Sequence, residues 1–150
     1  MERANSFTGE FRHSLDERGR VAVPARFRPR LAAGATLARW LDGCLGLFPD
    51  DEWLALSEKI AALPVTSPQA REFSRFMFSG AVDADPDRQG RILVPGFLRE
   101  YAGIGPGGEV VVVGSHNRIE LWSPDTWQSY RSRIEKDPES LAEHLAGLGI

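Results

Sequence analysis

Residues 14–28 read SLDERGRVAVPARFR, and residues 85–99 read DPDRQGRILVPGFLR. At an offset of 71, Asp16 meets Asp87, Gly19 meets Gly90, Arg20 meets Arg91, Val23 meets Val94, Pro24 meets Pro95 and Arg28 meets Arg99. The apolar slots also correspond, Val21 with Ile92 and Phe27 with Leu98. Agreement of this density exceeds what composition produces by chance, so the chain is an internal duplication.

Each copy follows one plan. Phe11 to Leu15 and Arg20 to Val23 are short β-prone runs, and Asp16-Glu17-Arg18-Gly19 between them has the chemistry of a hairpin turn, with Gly19 available for positive φ. Alternation puts Val21 and Val23 on one face and Arg20 and Ala22 on the other. Pro24 suits the first position of a short helix, which Pro29 limits to a turn or two. A second hairpin follows: TLARW and CLGLFP around LDG in the first half, EVVVVG and RIELWSP around GSHN in the second.

The helices come next. One starts at Asp50; another has Ser123 as N-cap and Pro124 as first helical residue. Trp53 and Trp127 correspond at an offset of 74, so the duplication extends past the motif with a few residues of drift. Two amphipathic helices complete the count. The one from Ser67 carries Phe73, Phe76 and Met77, and the one from Pro138 carries Leu141, Leu145 and Leu148; each packs on the β core or on a neighbouring subunit. The division expected is a first repeat with its helix over 1–66, a linking helix over 67–80 and a second repeat with C-terminal helices over 81–150.

Length and composition, 150 residues with 42% hydrophobic and 26% charged, are those of a soluble globular chain. No apolar run approaches the roughly 18 residues of a membrane span, and the N-terminal stretch has no signal-peptide core, so a cytoplasmic location is expected. The single cysteine, Cys44, fits a reducing compartment and reads as a core residue. Net charge is −3, but residues 1–40 hold eight arginines (Arg3, Arg12, Arg18, Arg20, Arg26, Arg28, Arg30, Arg39) against four acids, a local surplus of +4. The remaining 110 residues carry −7, so the basic surplus gathers around the first copy.

No catalytic constellation emerges. His13, His116 and His144 fall in a strand end, a turn and a terminal helix, with no spacing that converges them. Asp83, Asp85 and Asp87 begin like a calcium loop, but Arg88 and Val94 stand where such a loop needs Gly and Glu. Gly103, Gly105 and Gly108 spell G-x-G-x-x-G, yet they follow a helix and open a strand, the reverse of a dinucleotide fingerprint, and so mark a turn. An enzyme, a cofactor and a metal are accordingly not expected.

The repeated Asp-x-x-x-Arg has two readings. It is an ion pair tying a turn, worth at most about 1 kcal/mol at a surface. Or it belongs to an arginine-bearing hairpin that enters a DNA major groove, where guanidinium forks pair with guanine, Asp16 orienting Arg20. Arg28 and Arg99 recur irrespective of local charge, which fits a structural role as well as a phosphate contact.

The order and spacing of SLDERGRVAVPARFR, CLGLFP with Trp53, DRQGRILVP, and IELW with Trp127 resemble the bacterial MraZ family, built from two SpoVT/AbrB-type domains each marked by Asp-x-x-x-Arg. The resemblance covers nearly the whole chain. It implies an α+β fold, a duplicated swapped-hairpin (AbrB-like) β-barrel with flanking helices, and assembly of a homo-oligomer into a ring. It also implies a nucleoid-associated transcriptional regulator that binds double-stranded promoter repeats upstream of the division and cell-wall gene cluster, including its own gene, usually as a repressor. Carried over by position, the DNA-binding candidates are Asp16, Arg18 and Arg20, with Arg12 nearby, and Asp87 and Arg91 in the second copy. Gln89 replaces the counterpart of Arg18, and aspartates crowd that turn, which weights the first copy. The alternative is an oligomeric protein-interaction module without direct DNA readout.

Overall fold

A computed structural model describes residues 6–149; Glu2 and Arg3 of the basic segment, and the outermost residues of the two expected end divisions, lie outside it. Strands β1 (Glu10–Ser14), β2 (Arg20–Ala22), β3 (Ala35–Arg39) and β4 (Leu45–Pro49) are followed by α1 (Asp50–Ala61) and α2 (Pro68–Ser79). The second half repeats the order with β5 (Val82–Asp83), β6 (Arg91–Leu93), α3 (Gly96–Ala102), β7 (Glu109–Gly114), β8 (Ile119–Trp122), α4 (Pro124–Lys136) and α5 (Pro138–His144). The expected short helix after Pro24 is a 3-10 helix over Ala25–Leu31, and it runs through Pro29.

Six strands form one antiparallel sheet in the order β1-β7-β8-β4-β3-β5, and β2 pairs with β6 in a separate ribbon. The order is a palindrome of the duplication: β1 answers to β5, β7 to β3 and β8 to β4. Both central contacts are self-complementary. Gly46 lies opposite Glu120 and Val21 opposite Ile92, each pair relating equivalent positions of the two halves. A pseudo-twofold axis therefore runs through the β4–β8 contact and the ribbon.

The α+β class expected from the sequence is what forms, but the barrel is not. The sheet is open, with β1 and β5 at opposite edges. Closure would need those edges to pair, and β5 is only two residues long. The simple hairpin is also corrected. The turn at residues 16–19 closes through Asp16 N–H to Arg20 O (2.8 Å) and Gly19 N–H to Asp16 O (3.1 Å). Past the turn, however, β1 pairs with β7 and β2 with β6, so the two strands leave it into different sheets.

The apolar alternation explains the layers. Val21 and Ile92 of the ribbon bury against Leu37, Leu47, Val110, Val112 and Leu121 of the large sheet. On the opposite face Ala38, Ile60 and Met77 close under α1 and α2, and Cys44, Val111, Trp122 and Trp127 close under α4. β7 thus has Val110 and Val112 in one layer and Val111 in the other, which is why it reads as an unbroken apolar run. Ser67 and Ser123 cap α2 and α4 by accepting from Ala70 N–H and Thr126 N–H, the second as the Ser123-Pro124 pair predicts. Burial drives the Cys44 thiol pKa upward, which keeps it an inert core side chain.

Candidate nucleic-acid interface

The repeated motif builds the ribbon ends. Asp16 Oδ1 accepts from the backbone N–H groups of Arg18 (2.8 Å) and Arg20 (2.9 Å), and Asp87 Oδ1 accepts from Gln89 (2.8 Å) and Arg91 (3.0 Å). These bonds hold the charged carboxylates, so both aspartates have pKa values below the usual carboxylate range, led by the N–H of Arg20 for Asp16 and of Arg91 for Asp87. Asp16 therefore orients Arg20 through its backbone N–H. The guanidinium it meets belongs to the other half: Arg91 Nη1 donates to Asp16 Oδ2 (3.3 Å) and Arg91 Nε to Asp87 Oδ2 (3.3 Å).

Arg28 and Arg99 have a structural role. Arg28 Nε donates to Val23 O (2.9 Å) and Arg99 Nε to Val94 O (3.1 Å). Each guanidinium then lies under the glycine turn of the opposite half, Arg28 beneath Gly90 and Arg99 beneath Gly19. Both glycines have positive φ, +80° at Gly19 and +76° at Gly90; a Cβ at Gly90 would strike Arg28, and one at Gly19 would press on Val94 O at 3.2 Å. Val23 N–H to Gly90 O and Val94 N–H to Gly19 O, each 2.8 Å, complete the reciprocal clasp.

With Val21 and Ile92 turned inward, the outward face of the ribbon carries Arg20, Ala22, Arg91 and Leu93. Leu93 is 51% exposed there, so this face meets solvent. Arg18 stands exposed on the turn before β2. Most of the basic surplus of the first copy is held elsewhere. Arg12, on β1, pairs with Glu109 (3.1 Å); Arg26 donates to Thr8 O (3.0 Å); Arg30 pairs with Asp51 (2.8 Å); Arg39 donates to Phe76 O (2.9 Å). Among the described residues, only Arg18 and Arg20 of that group have side chains without a hydrogen bond or ion pair.

The structure thus brings Asp16, Arg20, Asp87 and Arg91 to one ribbon, places Arg18 at its end, and leaves Arg12 on the large sheet. It adds one cation that the motif comparison passed over. Arg88, exposed on the second turn and without a side-chain partner among the described residues, is the counterpart of Glu17. Alignment of the two turns contained that exchange of sign. Two of the calcium-like aspartates are otherwise engaged: Asp87 in its turn, and Asp85, whose Oδ1 accepts from Ala35 N–H (3.0 Å), tying β3 to the second half.

The model of a family described as "MraZ protein, putative antitoxin-like" matches residues 6–76 and again residues 77–147. The chain belongs to the MraZ family. It is 47% identical over 144 residues to the transcriptional regulator MraZ of Desulfitobacterium hafniense (strain DSM 10664 / DCB-2), spanning 96% of this chain and 99% of that one. The transcriptional regulators MraZ of Natranaerobius thermophilus and Syntrophomonas wolfei are 46% and 44% identical, with the same coverage. The two matched segments of the MraZ model repeat at the same spacing as the two Asp-x-x-x-Arg turns.

Proposed function

We propose that this protein is a sequence-specific DNA-binding transcriptional regulator whose reading element is the β2–β6 ribbon. The observation that carries the proposal is the freedom of Arg18 and Arg20 on a rigidly clasped, solvent-facing ribbon while the neighbouring arginines are spent on internal contacts. A two-stranded ribbon fits the DNA major groove, and a guanidinium fork there pairs with guanine O6 and N7. Arg91, held by two aspartates, is the weaker reader, so the first copy dominates; Arg88 serves phosphate contact from the second turn. The contribution of one strand from each half to this ribbon supports the swapped-hairpin relationship implied by the family resemblance.

The targets in this reading are short repeats in the promoter of the division and cell-wall gene cluster and of the protein's own gene, with repression as the outcome. The protein acts in the cytoplasm on the nucleoid; no helix among the described residues is long and apolar enough to cross a membrane. One ribbon touches few phosphates and binds weakly, so several subunits in a ring engaging several repeats supply the affinity. Fluorescence anisotropy of wild type and Arg20→Ala against DNA upstream of the protein's own gene, with a shuffled duplex as control, tests the proposal. Repeat-dependent binding lost in the variant is expected. Binding indifferent to sequence and to Arg20 would move the search to protein partners.

A further inference from the structure

The two halves use equivalent helices differently. In the first half, α2 inserts Met77 into a pocket formed with Ala38 and Ile60, backed by Trp53 and Leu56. At the offsets relating the halves, those four pocket residues correspond to Val113, Ile134, Trp127 and Tyr130. The same four, with Trp40 and Trp122, line a cavity of ≈ 310 Å³. In the terminal segment of the second half Leu148 is 79% exposed. The second half has kept the socket, but its own helix does not fill it.

The connection explains why. Residues 62–67 let α2 fold back from α1 onto β3, whereas Asp137 alone separates α4 from α5. The terminal segment is therefore directed away from its own half. Its apolar face remains uncovered, with Leu141 49% and Leu145 42% exposed in line with Leu148. The socket has an incomplete interior as well. Trp127 is buried, yet its Nε1 has no acceptor among the described residues, although a buried indole N–H ordinarily finds one.

We propose that the Leu141–Leu145–Leu148 face of one subunit docks into the aromatic socket of a second copy, in the place that α2 fills within the first half. The charges agree. Arg133 stacks on Tyr130 beside the socket, 5.0 Å from the ring centre, and makes no ion pair among the described residues, while the docking segment carries Glu139 and Glu143. Because plug and socket are different surfaces, the contact is head-to-tail, and it forms a ring where the rotation between neighbouring subunits closes. This inference rests on the assembly part of the proposed function and names its interface.

Light scattering coupled to size exclusion, on full-length protein, tests it. Wild type is expected as a multimer, and both the plug variant Leu145→Asp/Leu148→Asp and the socket variant Ile134→Lys as monomers with unchanged circular dichroism. An equimolar mixture of the two should give a dimer and nothing larger, since one intact plug and one intact socket remain. A multimeric plug variant would overturn the docking assignment and leave the assembly reading standing; this arm is decisive even if Ile134→Lys fails to fold. Absence of the mixed dimer between two folded monomeric variants would overturn the head-to-tail geometry. A monomeric wild type would overturn both, whereas DNA binding is read separately by anisotropy.

Discussion

Gly90 and Arg28 show how one backbone conformation in one half is held by a side chain of the other. Gly90 has φ of +76°, and a Cβ there would run into the Arg28 guanidinium. Gly90→Ala is expected to cost about 1–2 kcal/mol from the left-handed conformation, with displacement of Arg28 added. Gly105→Ala, where a Cβ would meet nothing within 4 Å, is the control and should stay within about 0.5 kcal/mol in a denaturant titration. The aspartates beside these glycines predict an acid response. Their pKa values are lowered from 3.8 in the native state, so the stability they contribute is complete above about 3.8 and is lost as pH falls through the native values. Asp16→Asn/Asp87→Asn should therefore lower stability at neutral pH and flatten the fall of the unfolding midpoint below about pH 4, measured by denaturant titration across that range. The need for glycine and aspartate was legible in the sequence because turn chemistry is local. The partner of Asp16 was not, because Arg91 lies 75 residues away and only the pseudo-twofold brings it there.

Elements differ in how far the sequence specifies them. The Ser-Pro starts of α2 and α4, and the β3–β4 and β7–β8 hairpins, depend on residues a few positions apart, and they form as read. Strand pairing across halves escaped a local reading. A closed turn at residues 16–19 is compatible with a hairpin, but once the chain folds Phe11 faces Val112 and Val21 faces Ile92. Apolar alternation specifies which face of β1 and β2 is buried, not which strand lies alongside. The two C-terminal helices of the halves make a corresponding contrast. Met77 on α2 is fully buried, so Met77→Ala should cost about 2–5 kcal/mol, read from the chemical unfolding midpoint. Ser67→Ala, which removes the α2 cap, should cost about 1 kcal/mol in the same assay. The two values should add within about 0.5 kcal/mol in the double variant unless the N-terminus of α2 and the Met77 pocket are coupled.

At the scale of the whole molecule, the +4 surplus of the first forty residues sits on a chain of net charge −3, so any attraction to DNA depends on a few arginines left free. Composition could show the surplus; only the fold separates Arg18 and Arg20, which are unpaired among the described residues, from Arg26, Arg28, Arg30 and Arg39, which hold the molecule together. Those two groups must respond differently to the same substitution. Each arginine that neutralises a phosphate contributes about 0.9 to the slope of log affinity against log salt. Arg18→Ala should reduce that slope by about one per engaged ribbon, and Arg20→Ala should also erase the preference for the repeat over the shuffled duplex. Arg28→Ala should leave the slope of the folded protein unchanged while lowering its unfolding midpoint, because its guanidinium supports Val23 and the turn at Gly90. Equal slopes for Arg18→Ala and wild type, measured from about 50 to 200 mM salt, would mean that Arg18 does not touch DNA phosphate, and the ribbon's part in binding would then rest on Arg20 and its preference for the repeat.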